Sequence, residues 1–134
     1  MFVIATGLYA SREITAKLVV GNAEASMVTA LELGHRFAIL SPSHRLKPVL
    51  QNLVHLYILT VNMSIAQAGS QSEAVYSAFY IAGRQAIDRY QAEVLILGQA
   101  FLAGMETKLS AELGLPVLDP VKCAVAQGEA LVRL

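Results

Sequence analysis

The residues best placed to touch a small molecule stand where short apolar runs end. Gly98, Gln99 and Ala100 follow Val94-Leu95-Ile96-Leu97, Ser41 follows Phe37-Ala38-Ile39-Leu40, and Thr6 follows Phe2-Val3-Ile4-Ala5. In an open parallel sheet the carboxyl ends of strands face the ligand, and a helix that starts there offers free backbone N–H groups. The Gln99 amide can donate and accept hydrogen bonds, but it takes up no proton at any useful pH. Hydroxyls at such junctions, here Ser41 and Thr6, have a competing role as caps of the following helix. Groups whose ordinary pKa lies closest to neutral are sparse: one cysteine, Cys123, and three histidines, His35, His44 and His55. The histidines are far apart and lack the i, i+4 spacing of a helical metal pair. Cys123 falls inside the last helix, where a lone thiol packs as a small apolar residue. Glu24 belongs to the first turn of a helix, a place the dipole alone explains. The chemistry expected is ligand contact through Gly98, Gln99, Ala100, Ser41 and Thr6, with no metal and no assigned catalytic residue.

The elements that must position these residues alternate in type. β-Branched or aliphatic runs separated by segments of helical period predict an α/β layer fold with a largely parallel sheet and helices on both faces. Five or six strands are expected. Phe2 to Ala5 and Leu18 to Val20 bracket a helical stretch from Tyr9 to Thr15. Asn22 caps the next helix, with Met27, Ala30 and Leu31 on one face and Gly34 as a left-handed stop. Phe37 to Leu40 is a strand buried on both faces. Pro42 and Pro48 open a helix with Leu46, Val49, Leu50 and Leu53 at helical steps, and Tyr57 to Val61 is the next strand.

Asn62 to Ser72 has no period and predicts the longest loop. Ser70 and Glu73 have capping-box spacing ahead of a helix to about Tyr90, with Val75, Ala78, Ala82 and Ala86 on its apolar face and Ser77, Arg84, Asp88 and Gln91 on a narrow polar one. Val94 to Leu97 is the central strand, and a helix starts at the turn after Gly98 and closes at Gly114. Leu115 to Leu118 is a short strand whose Pro116 requires its start or a sheet edge. Asp119 and Pro120 cap and open the last helix, with Val121, Ala124, Val125, Gly128 and Leu131 inward.

Composition narrows the partners. The 134 residues carry ten basic and ten acidic side chains, a net charge of zero and no run of like charge, which leaves no footprint for nucleic acid or an anionic membrane. Apolar residues make up 55% and charged ones 15%, an excess that predicts cover by a second copy in a homodimer or higher oligomer. No apolar run reaches the roughly 20 residues of a membrane span and the start lacks the basic region of a signal peptide, so a cytoplasmic location is expected. A single cysteine excludes an internal disulfide and a cysteine-rich zinc site.

Three ordered strings resemble the Asp/Glu/hydantoin racemase family, of the hydantoin and allantoin type. Val19-Val20-Gly21-Asn22-Ala23-Glu24-Ala25-Ser26-Met27 is similar to the segment that enters the family's second lobe. Glu93-Val94-Leu95-Ile96-Leu97-Gly98, with Gln99-Ala100 after it, resembles the second-lobe active-site strand, whose family form continues Leu-Gly-Cys-Ala-Gly-Met. Leu115-Pro116-Val117-Leu118-Asp119 resembles the late strand, Val-Pro-Val-Ile-Asp. The resemblance implies a flavodoxin-like α/β lobe, with residues 21–134 as the second lobe and 1–20 as the remnant of a first, forming a single α/β domain over 1–134. It also implies cofactor-free chemistry on a small carboxylate or hydantoin-like ligand held between lobes. Family members take the α-proton with one cysteine thiolate and return it from another, a task that needs two low-pKa groups on opposite faces. Here Gln99 stands at the second-lobe cysteine, and Thr6-Gly7-Leu8 follows directly where the first-lobe cysteine would fall. The expectation is therefore a family protein inactive as a two-cysteine racemase, acting as an oligomer or a small-ligand binder. The alternative is a one-base isomerase, decarboxylase or lyase that recruits Cys123 or a histidine across a subunit interface.

Overall fold

A computed structural model of the chain describes residues 7–42, 57–61, 63–70 and 72–134. Its elements in chain order are α1 (Leu8–Ile14), α2 (Asn22–Leu33), β1 (Phe37–Ser41), β2 (Tyr57–Thr60), α3 (Ile65–Gly69), α4 (Glu73–Tyr90), β3 (Val94–Leu97), a 3-10 turn (Ala100–Leu102), α5 (Glu106–Leu113), β4 (Val117–Leu118) and α6 (Pro120–Val132). The predicted strand at Phe2 to Ala5 and the helix around Leu46 to Leu53 lie outside the described residues.

The described strands form one parallel sheet in the order β2-β1-β3-β4. Leu40 of β1 pairs with Leu59 of β2 on one side and Leu97 of β3 on the other. The α/β architecture is thus the one the alternating pattern predicts. Alternation of side chains along a strand divides the core in two. Ala38 and Leu40 of β1 and Leu95 and Leu97 of β3 pack with Phe79, Ala82 and Ala86 of α4 and Leu109 of α5. Phe37, Ile39, Val94 and Ile96 point the other way and pack with Met27 and Ala30 of α2. With both faces covered, these strands must read as unbroken apolar runs, and they do.

Several local expectations are corrected. Leu18 to Val20 is not a strand: the Arg12 guanidinium donates to the Val19 carbonyl from Nε and Nη2, each at 3.2 Å, and so occupies the acceptor a neighbouring strand would use. Gly34 is extended, with φ of −169°, and not left-handed. Glycine is needed there for space, since a β-carbon would come within 2.9 Å of Glu93 Cβ. The Asn62 to Ser72 stretch contains α3, which begins with a capping box in which Ser64 Oγ accepts from the Gln67 N–H and Gln67 Oε1 accepts from the Ser64 N–H. The cap of α4 is Ser72, whose hydroxyl faces the Val75 N–H, and not Ser70. The segment after Gly98 makes a 3-10 turn first, and the helix starts only at Glu106.

Leu31 on α2 is 57% exposed, and Val125 and Leu131 on α6 are 51% and 42% exposed, so these three do not face the core as their spacing predicts. Other predicted features hold. Asp119 caps α6 by accepting the Val121 N–H at 2.8 Å, with Pro120 in the first turn. Gly114 closes α5 with φ of +73°. Among the described residues no helix is long and apolar enough to cross a membrane.

Candidate functional site

The chain leaves β1 toward β2 on one side and reaches β3 on the other, so the strand order reverses between β1 and β3. A crevice opens outside the carboxyl ends of two strands at such a switch point. Here it is a cleft lined by Asn22, Ala23, Ser26 and Met27 of α2, Ile39 of β1, Ile96 and Leu97 of β3, Gly98, and Pro120 of α6. Its cavity volume of about 20 Å³ is room for about one water molecule.

Both long helices on this face begin at the cleft. The first turn of α2 carries Asn22, whose Oδ1 accepts the Ala23 N–H at 2.8 Å, while Ser26 Oγ donates to the Ala23 carbonyl at 2.9 Å. The first turn of α6 carries Pro120. Helix starts aim partial positive charge at the crevice, and the amide of Asn22 adds a polar edge. Among the described residues the lining holds no acid or base. Its polar side chains are Asn22 and Ser26.

The structure brings three of the five residues singled out from sequence to this edge. Gly98 lines the cleft, and its N–H donates to the Leu40 carbonyl at 2.7 Å. Gln99 comes next and is 7% exposed. Its backbone carbonyl accepts the Leu102 N–H at 3.2 Å. Ser41 is fully buried at the end of β1, packed beside Gly98. Ala100 lies one step further on, half-buried in the 3-10 turn. Thr6 lies outside the described residues, as do His44 and His55. Asn22, Ser26 and Pro120 were not expected at the site. Their signal was available, since Gly21-Asn22 and Asp119-Pro120 are both helix starts that follow extended segments.

Cys123 does not line the cleft. It sits half-buried one turn into α6, beside Thr29 of α2, and burial pushes its thiol pKa above the ordinary value, partly offset by the Thr29 hydroxyl. Such a thiol is less nucleophilic at neutral pH than a free one. His35 is exposed, and its backbone N–H donates to Glu93 at the far end of the sheet. Glu24 pairs with Arg12 at 2.8 Å, which accounts for it. Among the described residues no group of three or more histidine, cysteine or carboxylate side chains could hold a metal.

A second cluster stands beside the cleft. Glu106, 6% exposed, opens α5 and accepts the Gly104 N–H at 2.6 Å on Oε2, while its Oε1 meets the Lys122 ammonium of α6. Burial works against the ionised carboxyl. The Lys122 ammonium, its own N–H and the Gly104 N–H together outweigh burial and hold its pKa below the usual carboxylate range.

A parallel α/β layer with a crevice at its switch point defines a broad class of small-ligand proteins, and comparison with known proteins narrows it. Residues 3–128 match the sequence profile of the Asp/Glu/Hydantoin racemase family, and the chain belongs to that family. It is 36% identical to a hydantoin racemase of Pseudomonas sp. strain NS671, over 96% of this chain and 55% of that protein. A hydantoin racemase of Paenarthrobacter aurescens is 32% identical over 96% of this chain and 58% of that protein. Among solved structures, allantoin racemase from Pseudomonas fluorescens superposes with a TM-score of 0.88 at 28% identity, covering 94% of this chain and 57% of that one. Allantoin racemase from Klebsiella pneumoniae gives 0.87 at 26% identity, covering 95% and 55%. The chain thus spans little more than half the length of these relatives.

Proposed function

We propose that this chain binds a small carboxylate or hydantoin-like ligand at the β1–β3 cleft and does not racemise it. The observation that carries the reading is the cleft's lack of any acid or base among its described lining, with Gln99 buried beside it. Abstracting a proton next to a carbonyl needs a positioned base, and a glutamine amide is none. The position of Cys123 outside the lining, with its pKa raised, speaks against recruiting it as that base.

The described cleft holds about one water, so a ring-sized ligand would sit at its mouth against a second surface. In this reading residues 21–134 act as one lobe, 1–20 are the end of another, and a second copy of the chain supplies the opposing wall. Exposed Val28, Leu31, Val125 and Val132 give such a copy apolar surface to cover.

The test is α-proton exchange in heavy water, followed by NMR, with aspartate, glutamate, a 5-substituted hydantoin and allantoin as probes. Exchange at the buffer rate and unchanged optical rotation are expected. Hydantoin or allantoin should bind in a calorimetric titration, and Gln99→Ala should weaken that binding about tenfold, the scale of one lost hydrogen bond to a buried group. Inversion of any of these compounds by the purified chain would overturn the proposal.

A further inference from the structure

We propose that Glu106 and Lys122 form a latch that fixes the Gln99 turn against the start of α6 and so sets the width of the cleft; the inference rests on reading that cleft as a ligand site. The two walls concerned, Gly98 and Pro120, belong to segments separated by α5 and β4. The sheet pairs β3 with β4 as far as Ile96 and Leu118, and beyond that pair side-chain contacts add to what holds the two walls. The Glu106 carboxylate does this with both oxygens, one on the Gly104 N–H and the other on the ammonium of Lys122, two residues beyond Pro120.

Gly104 adopts φ of +97°, and the turn before it is closed by short-range bonds: Leu102 N–H to the Gln99 carbonyl, Ala103 N–H to Ala100, and Met105 N–H to Leu102. A shift of Gly104 is therefore passed to its neighbours Ala103 and Met105, whose N–H groups bond back to Ala100 and Leu102, and Leu102 bonds to Gln99. Glutamate is among the residues least often buried, and it is tolerated here because both its oxygens are paired. Asp119, the cap of α6, adds its field to that of Glu106 at Lys122.

A simpler role for Glu106 is a first-turn carboxylate that complements the dipole of α5, and that role needs neither Gly104 nor Lys122. The two roles separate experimentally. Lys122 is the informative site because its side chain is 69% exposed, so Lys122→Met keeps the apolar stem and leaves the core untouched. Amide hydrogen exchange of the full chain at neutral pH is read by NMR for Lys122→Met, Lys122→Arg and Glu106→Gln. In Lys122→Met, exchange at Leu102, Ala103, Gly104 and Met105 should quicken about tenfold, while Leu95 and Ile96 in β3 change less than about twofold, the signature of local opening. Lys122→Arg should restore protection, and Glu106→Gln should repeat the loss. Unchanged turn exchange in Lys122→Met, or an equal rise in turn and strand, overturns the latch. Hydantoin binding is measured on the same variants. If the parent chain binds no hydantoin, the ligand reading fails while the exchange result still decides the latch. If it binds, Lys122→Met should weaken it severalfold, and equal affinity would sink the link between latch and cleft.

Discussion

The N–H of Gly98 donates to the carbonyl of Leu40 at 2.7 Å, and a β-carbon on Gly98 would lie 2.9 Å from that same oxygen and 2.9 Å from Ser41 Cβ. Glycine is present because the two strand ends approach too closely for a side chain, and that approach shapes the floor of the cleft.

Gly98→Ala should therefore part β1 and β3 at their carboxyl ends. Overpacking of this kind costs about 1–3 kcal/mol. Urea unfolding should show a lower midpoint with an unchanged slope. A variant as stable as the parent would mean that the strands accommodate the methyl group freely.

The Tyr76 hydroxyl is buried and lacks a hydrogen-bond partner among the described residues, with Glu112 near enough to bear on its charge but outside bonding geometry. Burial is the main reason its pKa is pushed up to about 12, helped by the negative charge of Glu112. The unfolded phenol ionises near its ordinary value of 10.0 and the folded one later, so stability should fall as pH rises from about 10 toward 12. Tyr76→Phe removes an unpaired polar atom and should be as stable as the parent or about 1 kcal/mol more so at neutral pH, with a smaller alkaline loss. Thermal melts across that pH range check both, and a clear destabilisation at neutral pH would reveal an overlooked partner for the hydroxyl.

Glu106 titrates in the opposite sense. Its folded pKa is depressed, so its contribution is present above the unfolded carboxylate value near 4.3 and is lost as pH falls through the lower folded value. Glu106→Gln should flatten the acid side of the Tm profile below about pH 5. Parallel acid limbs for parent and variant would refute the depressed value.

What could be read from the sequence follows from where the information lies. β1 and β3 were legible because strands buried on both faces must be apolar throughout, and the Asp119-Pro120 start of α6 because cap chemistry is local. Leu18 to Val20 has strand composition yet loses its pairing carbonyl to Arg12, a contact made only after folding. The short α3 was hidden because it has too few turns for a period, although its Ser64 and Gln67 spacing was a usable sign. Gly98, Gln99, Ala100 and Ser41 could be placed at strand ends, but the opposite wall at Asn22, Ser26 and Pro120 needed the packing of α2 and α6 side by side. The Glu106 and Lys122 pairing joins two helices, and neither residue carries a sequence sign of it.

β4 has two residues, and Pro116 immediately before it turns its carbonyl inward to the Leu95 N–H of β3. Among the described residues β4 is an edge of the sheet, and so short a strand offers few outward-facing backbone groups for recruiting a further one. The apolar groups left exposed on this chain lie instead on helices, at Val28 and Leu31 of α2 and Val125 and Leu131 of α6, so its sticky surface is made of side chains and not of open backbone.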